Sequence, residues 1–197
     1  MERSALELRK RELRAEARVH AASDRGPQAA RCLEALLGLP RLAGPGTLAL
    51  YASQGDEVPV ERAVPLLRAR GWRVVFPRIE GDQLALGAAE PGELVAGRFG
   101  MREPPPAAPE VGVERVDVFV VPGLLFARDG TRLGRGAGHY DRLLARARAD
   151  ALRIGICYSD RVRDALPSAP HDVPVQLLVT DRGVLRCRAP ADAEESR

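Results

Sequence analysis

The apolar run Val118-Phe119-Val120-Val121 is unbroken and rich in β-branched residues, and Pro122-Gly123 closes it. A strand with both faces covered has this pattern. Similar runs predict strands over Thr47–Tyr51, Trp72–Pro77, 82–87, Leu152–Cys157 and Gln176–Thr180, with an edge strand over Val184–Cys187. Helical periods alternate with them. One covers residues 4 to about 21, with Ser4 and Glu7 as a capping box. A second opens at Gly26-Pro27 and ends before Gly38, with Leu33, Leu36 and Leu37 on its core face. A third runs from Val60 to Arg70, where Pro65 marks a kink or a later start. His139–Ala149 forms a fourth, and Arg161–Leu166 a short helical turn. The proline-rich 97–109 segment reads as a rigid connection, and the polar 189–197 tail as frayed. Strands alternating with helices predict an α/β fold: a three-layer sandwich with a mostly parallel central sheet flanked by helices, spanning 1–197 as one domain.

Within the first helix, Leu6, Lys10, Leu13 and Ala17 fall on one face, which puts Lys10 on the apolar stripe. An ammonium facing the protein body needs an anionic partner, unless its stem snorkels to water. Of the 30 lysine and arginine residues, Lys10 is the only lysine. A compact ammonium reaching a phosphate as a point charge is something arginine replaces poorly.

Composition narrows the classes. The net charge of +3 is small and spread along the chain, so nucleic-acid binding is not indicated. Cys32, Cys157 and Cys187 are odd in number and form no C-x-x-C pair, which fits a reducing compartment and argues against a zinc site. The charge-dense segment from Glu2 to Arg18 is unlike a secretory signal, and no apolar run reaches membrane-spanning length. The expectation is a cytoplasmic monomer that acts on a small molecule, with no nucleic-acid or membrane partner.

The candidate chemistry gathers after the Val118–Val121 strand. Gly134, Gly136 and Gly138 alternate with Arg135 and Ala137 just before a helix, a pattern that lets backbone approach a phosphate. It is neither the G-x-x-x-x-G-K-[ST] loop nor the G-x-G-x-x-G fingerprint. A flexible turn with solvent-facing arginines would look the same. Arg132, Arg135, Asp141 and Arg142 shift the balance: bases hold phosphates, and an acid among them can hold the magnesium that travels with a nucleotide. Earlier, the loop after the first strand carries Asp56 and Glu57. They either cap the next helix or accept N–H groups from a heterocycle's edge.

Five patches resemble the 5-formyltetrahydrofolate cyclo-ligase family: Lys10-Arg11-Glu12-Leu13-Arg14, Gly55-Asp56-Glu57-Val58, Phe99-Gly100-Met101-Arg102-Glu103-Pro104, the 121–141 run, and His171-Asp172-Val173-Pro174-Val175. The 121–141 run is the most specific. The resemblance implies ATP- and Mg²⁺-dependent cyclisation of 5-formyltetrahydrofolate to 5,10-methenyltetrahydrofolate, releasing ADP and phosphate, through phosphorylation of the formyl oxygen. It implies Lys10 and Arg132 as catalytic. It implies ATP contacts at Lys10, Arg11, Glu12, Leu13, Arg14, Arg132, Leu133, Gly134, Arg135, Gly136, Ala137, Gly138, His139 and Tyr140. Substrate contacts fall on Ala52 and Glu57, and metal carboxylates on Asp141 and Asp172. An aspartate in a helix's first turn or in a turn before a strand is ordinary by itself, so the metal role requires the two to meet. His139 stands where the family favours Tyr, Ala137 where Gly or Lys is common, and Gln176 where an acid is frequent. Packing or ligand stacking suits His139 better than acting as a base. The rival reading is a non-catalytic nucleotide- or RNA-binding relative of the same fold, whose affinity would fall steeply with salt.

Overall fold

A computed structural model describes residues 2–19 and 25–187. The expected end of the first helix, at 20–21, and the 189–197 tail lie outside the described residues.

The chain runs through α1 (Glu2–Val19), α2 (Gly26–Leu37), β1 (Gly46–Ala49), α3 (Val64–Ala69), β2 (Trp72–Glu80), β3 (Gln83–Ala88), β4 (Val95–Ala96), β5 (Arg102–Glu103), β6 (Val118–Val121), β7 (Leu125–Ala127), β8 (Arg132–Leu133), α4 (His139–Leu144), β9 (Leu152–Ile156), β10 (Val162–Arg163), β11 (Leu177–Thr180) and β12 (Gly183–Arg186). Seven strands form the main sheet in the order β12-β11-β9-β6-β1-β2-β3. The five inner strands are parallel; β3 and β12 close the edges antiparallel. This is the mostly parallel α/β sheet the pattern predicts.

Strand alternation sorts side chains to two faces. Leu48, Val74, Val118, Val120, Ile154 and Val179 pack on one face with Ala29, Cys32 and Leu36 of α2 and Val64 and Leu67 of α3. Ala49, Val75, Phe119, Val121 and Leu178 pack on the other with Leu143 and Leu144 of α4 and Phe126 of β7. β6 is buried at all four positions, which is why it reads as an unbroken apolar run. A third cluster docks α1 through Leu13 and Ala17 onto Leu125, Ala127, Leu133 and Leu166.

Four local expectations change. α1 begins at Glu2, upstream of Ser4, so Ser4 and Glu7 lie inside the helix rather than at its start. A 3₁₀ turn occupies Val60–Ala63, and the α-helix starts at Val64, the later start that Pro65 at its first turn allows. α4 stops after six residues, because the chain tightens through Arg146 N–H to Leu143 O and must turn to enter β9. Arg161–Leu166 is not helical. A 3₁₀ turn covers Ser159–Arg161, and Val162 and Arg163 then pair in parallel with Phe126 and Ala127. That pairing builds a small second sheet, β10-β7-β8.

Gly130 closes the β7–β8 hairpin with φ of +93°. Its carbonyl accepts the Val175 N–H at 3.0 Å, and a Cβ there would collide with the Val175 carbonyl oxygen. Strain and overlap with backbone act together, so Gly130→Ala is expected to destabilise by about 3 kcal/mol. Thermal denaturation should show a midpoint lower by about 10 °C.

Candidate active site

One cleft opens beyond the C-terminal ends of β1 and β6, where parallel sheets present their ligand sites. Tyr51, Ala52, Gln54 and Glu57 enter it from the loop after β1, and Pro122, Gly123 and Leu124 from the turn after β6. α1 contributes Glu7, Lys10 and Arg14 at helical spacing, and every residue from Arg132 to Asp141 lines it. His171 and Asp172 come from the turn ahead of β11, and Pro77, Leu84, Met101 and Arg102 from the β2–β3–β5 side.

Long-range polar bonds join these segments. Lys10 is only 5% exposed, and its Nζ donates to Asp172 Oδ2 at 2.6 Å. The same oxygen takes the Ala169 N–H at 2.8 Å. Burial alone would raise the Asp172 carboxyl, but the Lys10 bond, the Ala169 N–H and nearby positive charge hold it below the usual carboxylate range. Arg132 reaches Asp141 Oδ1 at 2.7 Å, and that oxygen also accepts the Val173 N–H at 3.2 Å. Asp141 is therefore tied to the segment that carries Asp172. The second oxygen of each aspartate, Oδ2 of Asp141 and Oδ1 of Asp172, takes no part in these bonds. Arg14 Nε donates to the Gly134 carbonyl at 3.1 Å, fixing α1 against the glycine loop.

Two further features suit an anion. Arg132 has a buried Nε with no hydrogen-bond partner among the described residues. Among those residues, too, no N–H from 134 to 138 is spent on a protein acceptor. α4 is too short for its dipole to matter, so the positive potential comes from side chains and loop amides rather than from a helix end. No group of three His, Cys, Asp or Glu side chains that could hold a metal occurs among the described residues.

Glu57 lies across from the loop, accepting Arg135 at 3.0 Å and the Gln54 N–H at 3.0 Å. Burial raises its carboxyl above the usual range, and Arg135 offsets only part of that. Tyr140 is raised by burial, and its ring lies 5.7 Å from the Arg132 guanidinium carbon. Partial burial, with Arg142 and Arg98 near, lowers the His139 imidazole below its usual range, and Asp82 opposes this in part.

A family model described as the 5-formyltetrahydrofolate cyclo-ligase family matches residues 2–181. The chain belongs to the 5-formyltetrahydrofolate cyclo-ligase family. A 5-formyltetrahydrofolate cyclo-ligase of Mycolicibacterium smegmatis is 38% identical over 150 residues, 72% of this chain and 77% of that protein. The NMR structure of Aquifex aeolicus 5,10-methenyltetrahydrofolate synthetase superposes with a TM-score of 0.78 at 31% identity, covering 91% of this chain and 93% of that one. A 5,10-methenyltetrahydrofolate synthetase from Mycoplasma pneumoniae gives 0.68 at 26% identity, covering 92% and 99%. As a cyclo-ligase family member the chain is an enzyme of the ligase class, in folate one-carbon metabolism. No described helix is long and apolar enough to cross a membrane.

Fifteen of the site residues named from sequence meet in this cleft: Lys10, Arg14, Ala52, Glu57, the ten from Arg132 to Asp141, and Asp172. Three do not. Arg11 is exposed, Glu12 is exposed and pairs with Arg9, and Leu13 is buried against the small sheet. The 10–14 patch is helical, so only residues one turn apart can share a face. Gln176 also lies elsewhere: its Oε1 accepts the Arg153 N–H at 2.8 Å, so that departure from the family stays in the sheet. Asp56 neither caps α3 nor lines this cleft. Arg25 Nε and Arg161 hold its two oxygens at 2.7 and 2.5 Å. Arg161 also donates to the Ala17 carbonyl, so this buried guanidinium ties the end of α1 to the loop after β1. Tyr51 and Gln54 were missed because an apolar strand end and a loop amide carry no distinguishing pattern.

Proposed function

We propose that the protein closes the ring of 5-formyltetrahydrofolate to 5,10-methenyltetrahydrofolate at the expense of ATP, with Mg²⁺, releasing ADP and phosphate. The supporting observation is the convergence of α1, the 132–141 segment and the 171–172 turn, joined by the Lys10–Asp172 and Arg132–Asp141 pairs. An N-formyl oxygen leaves poorly at neutral pH. Its attack on the γ-phosphorus forms an O–P bond and breaks the bond to ADP. The neighbouring nitrogen then attacks the formyl carbon, the C–O bond breaks with its electrons going to phosphate, and that nitrogen's proton passes to solvent.

Such a transfer asks the protein chiefly for alignment and charge neutralisation. Lys10, Arg14 and Arg132 and the unspent N–H groups of the loop suit a triphosphate. Two carboxylates, with no third ligand among the described residues, suit a cation that brings most of its oxygens with the nucleotide. Held by Asp141 and Asp172, Mg²⁺ would neutralise charge on the phosphate oxygens. Glu57 and Ala52 would contact the folate heterocycle, with the neighbouring Tyr51 supplying aromatic surface on the same side of the cleft. The enzyme acts in this reading as a cytoplasmic monomer on small molecules.

The test is the absorbance of the methenyl product with purified protein, ATP, Mg²⁺ and 5-formyltetrahydrofolate. Product should appear in step with ADP; ATP consumption without the folate would refute the reading. Glu57→Gln should raise the folate KM about tenfold, as for loss of one charged hydrogen-bond acceptor. The ATP KM should hold, because the Glu57–Arg135 pair is half exposed on the arginine side and weakly coupled. Equal rises in both KM values would remove Glu57 from the folate side.

A further inference from the structure

Arg102 is a cation of the cleft to which the reaction above gives no task. It sits beside Met101 on β5, its side chain 46% exposed. One terminal nitrogen donates to Glu61 Oε1 at 3.0 Å. Glu61 is mostly covered and accepts the Ser53 hydroxyl at 2.7 Å and the Ser53 N–H at 3.4 Å. The guanidinium is thus anchored at one corner to the loop that carries Ala52 and Glu57. No other partner of Arg102 occurs among the described residues, so most of its N–H groups remain for a ligand.

Its surroundings indicate which ligand. Lys10, Arg14 and Arg132 cluster with the glycine loop and the two aspartates, where a triphosphate fits. Arg102 belongs to a different flank, on the β5 strand that packs against β2, beside the apolar surface of Pro77, Leu84 and Met101. A folate has three parts: the reacting heterocycle, an aromatic amide, and a glutamate with two carboxylates at the far end. With the heterocycle at Glu57, the apolar flank takes the aromatic ring. The half-exposed planar guanidinium of Arg102 then stands beside that flank, and such a group pairs well with carboxylate.

We propose that Arg102, oriented by Glu61, binds the glutamate carboxylates of the folate substrate. The proposal rests on the cyclo-ligase reading and names a specificity contact within that site.

The experiment compares 5-formyltetrahydrofolate with 5-formyltetrahydropteroate, which has the same reacting end and no glutamate. Arg102→Ala should raise the KM for the first about tenfold and leave that for the second within about twofold, as expected for one lost charged contact. Arg102→Glu should raise the first further and still spare the second. The ATP KM and kcat should not change. Equal KM changes with both substrates, or no change with either, would overturn the proposal. Wild-type protein forming no methenyl product from either compound would instead overturn the reaction reading, and the proposal with it.

Discussion

Lys10→Ala is expected to lower kcat about a thousandfold, a barrier increase of about 4 kcal/mol, while the far-ultraviolet circular dichroism stays that of the wild type. Lys10 is the chain's only lysine, is nearly fully buried, and lies on the face of α1 that meets the glycine loop. Its removal takes a positive charge from the place where a triphosphate would carry most of its negative charge. It also leaves Asp172 with a backbone N–H and His171 as its remaining neighbours. A carboxylate stripped of its partner costs stability, about 1–3 kcal/mol at a partly exposed site. The melting temperature must therefore be read with the rate. A purely structural ion pair is separable from one whose members act on the nucleotide and its cation by Lys10→Met combined with Asp172→Asn. That pair removes both charges, and folding stability should recover. If the bond only fastened α1, turnover would recover too. The expected result is a stable protein that remains inactive.

The part of this site that local sequence pattern reveals is the part set by local spacing. Lys10 could be placed because a helical period puts it between Leu6 and Leu13 on one face, and burial at Lys10, Leu13 and Ala17 follows that face. β6 was legible because a central parallel strand is apolar throughout. The glycine loop was legible because its glycines and bases alternate. What was not legible depends on which distant segments become neighbours. β7 and β8 form a hairpin of three- and two-residue strands too short to show a pattern, and β10 exists only because Val162 meets Phe126 across the fold. Arg161 and Asp56 are 105 residues apart and bond only because β9 and β1 end at the same edge of the sheet. The same holds for Arg102 and Glu61. Helix length fails for a related reason: the 139–149 period is sound locally, but the entry to β9 ends α4 at Leu144. Local physics thus picked out Lys10 and the glycine loop, the family resemblance added Ala52 and Asp172, and topology decided which of these groups face one another.

Asp141→Asn should reduce kcat about a hundredfold, or nearly 3 kcal/mol of barrier, with little change in melting temperature. Asparagine retains an oxygen that can accept the Val173 N–H and the Arg132 donor, so the link between α4 and the segment before β11 survives. It loses the negative charge that a divalent cation needs, and that loss does not depend on the packing. Asp141→Ala removes both. The comparison separates the two roles. If Asp141 only braces α4, Asn should behave as wild type and Ala should fail by unfolding. If it shares a cation with Asp172, Asn and Ala should lose rate alike, and Asn should stay folded. Ligand-induced stabilisation provides a readout independent of turnover. In the wild type, ATP should raise the melting temperature more with Mg²⁺ than with a chelator present. If the two carboxylates share one ion, Asp141→Asn and Asp172→Asn should each erase most of that difference, because no third ligand among the described residues could replace either. A variant that kept the full magnesium-dependent shift would separate the aspartates from the metal, leaving their ion pairs with Arg132 and Lys10 as a structural feature of the cleft.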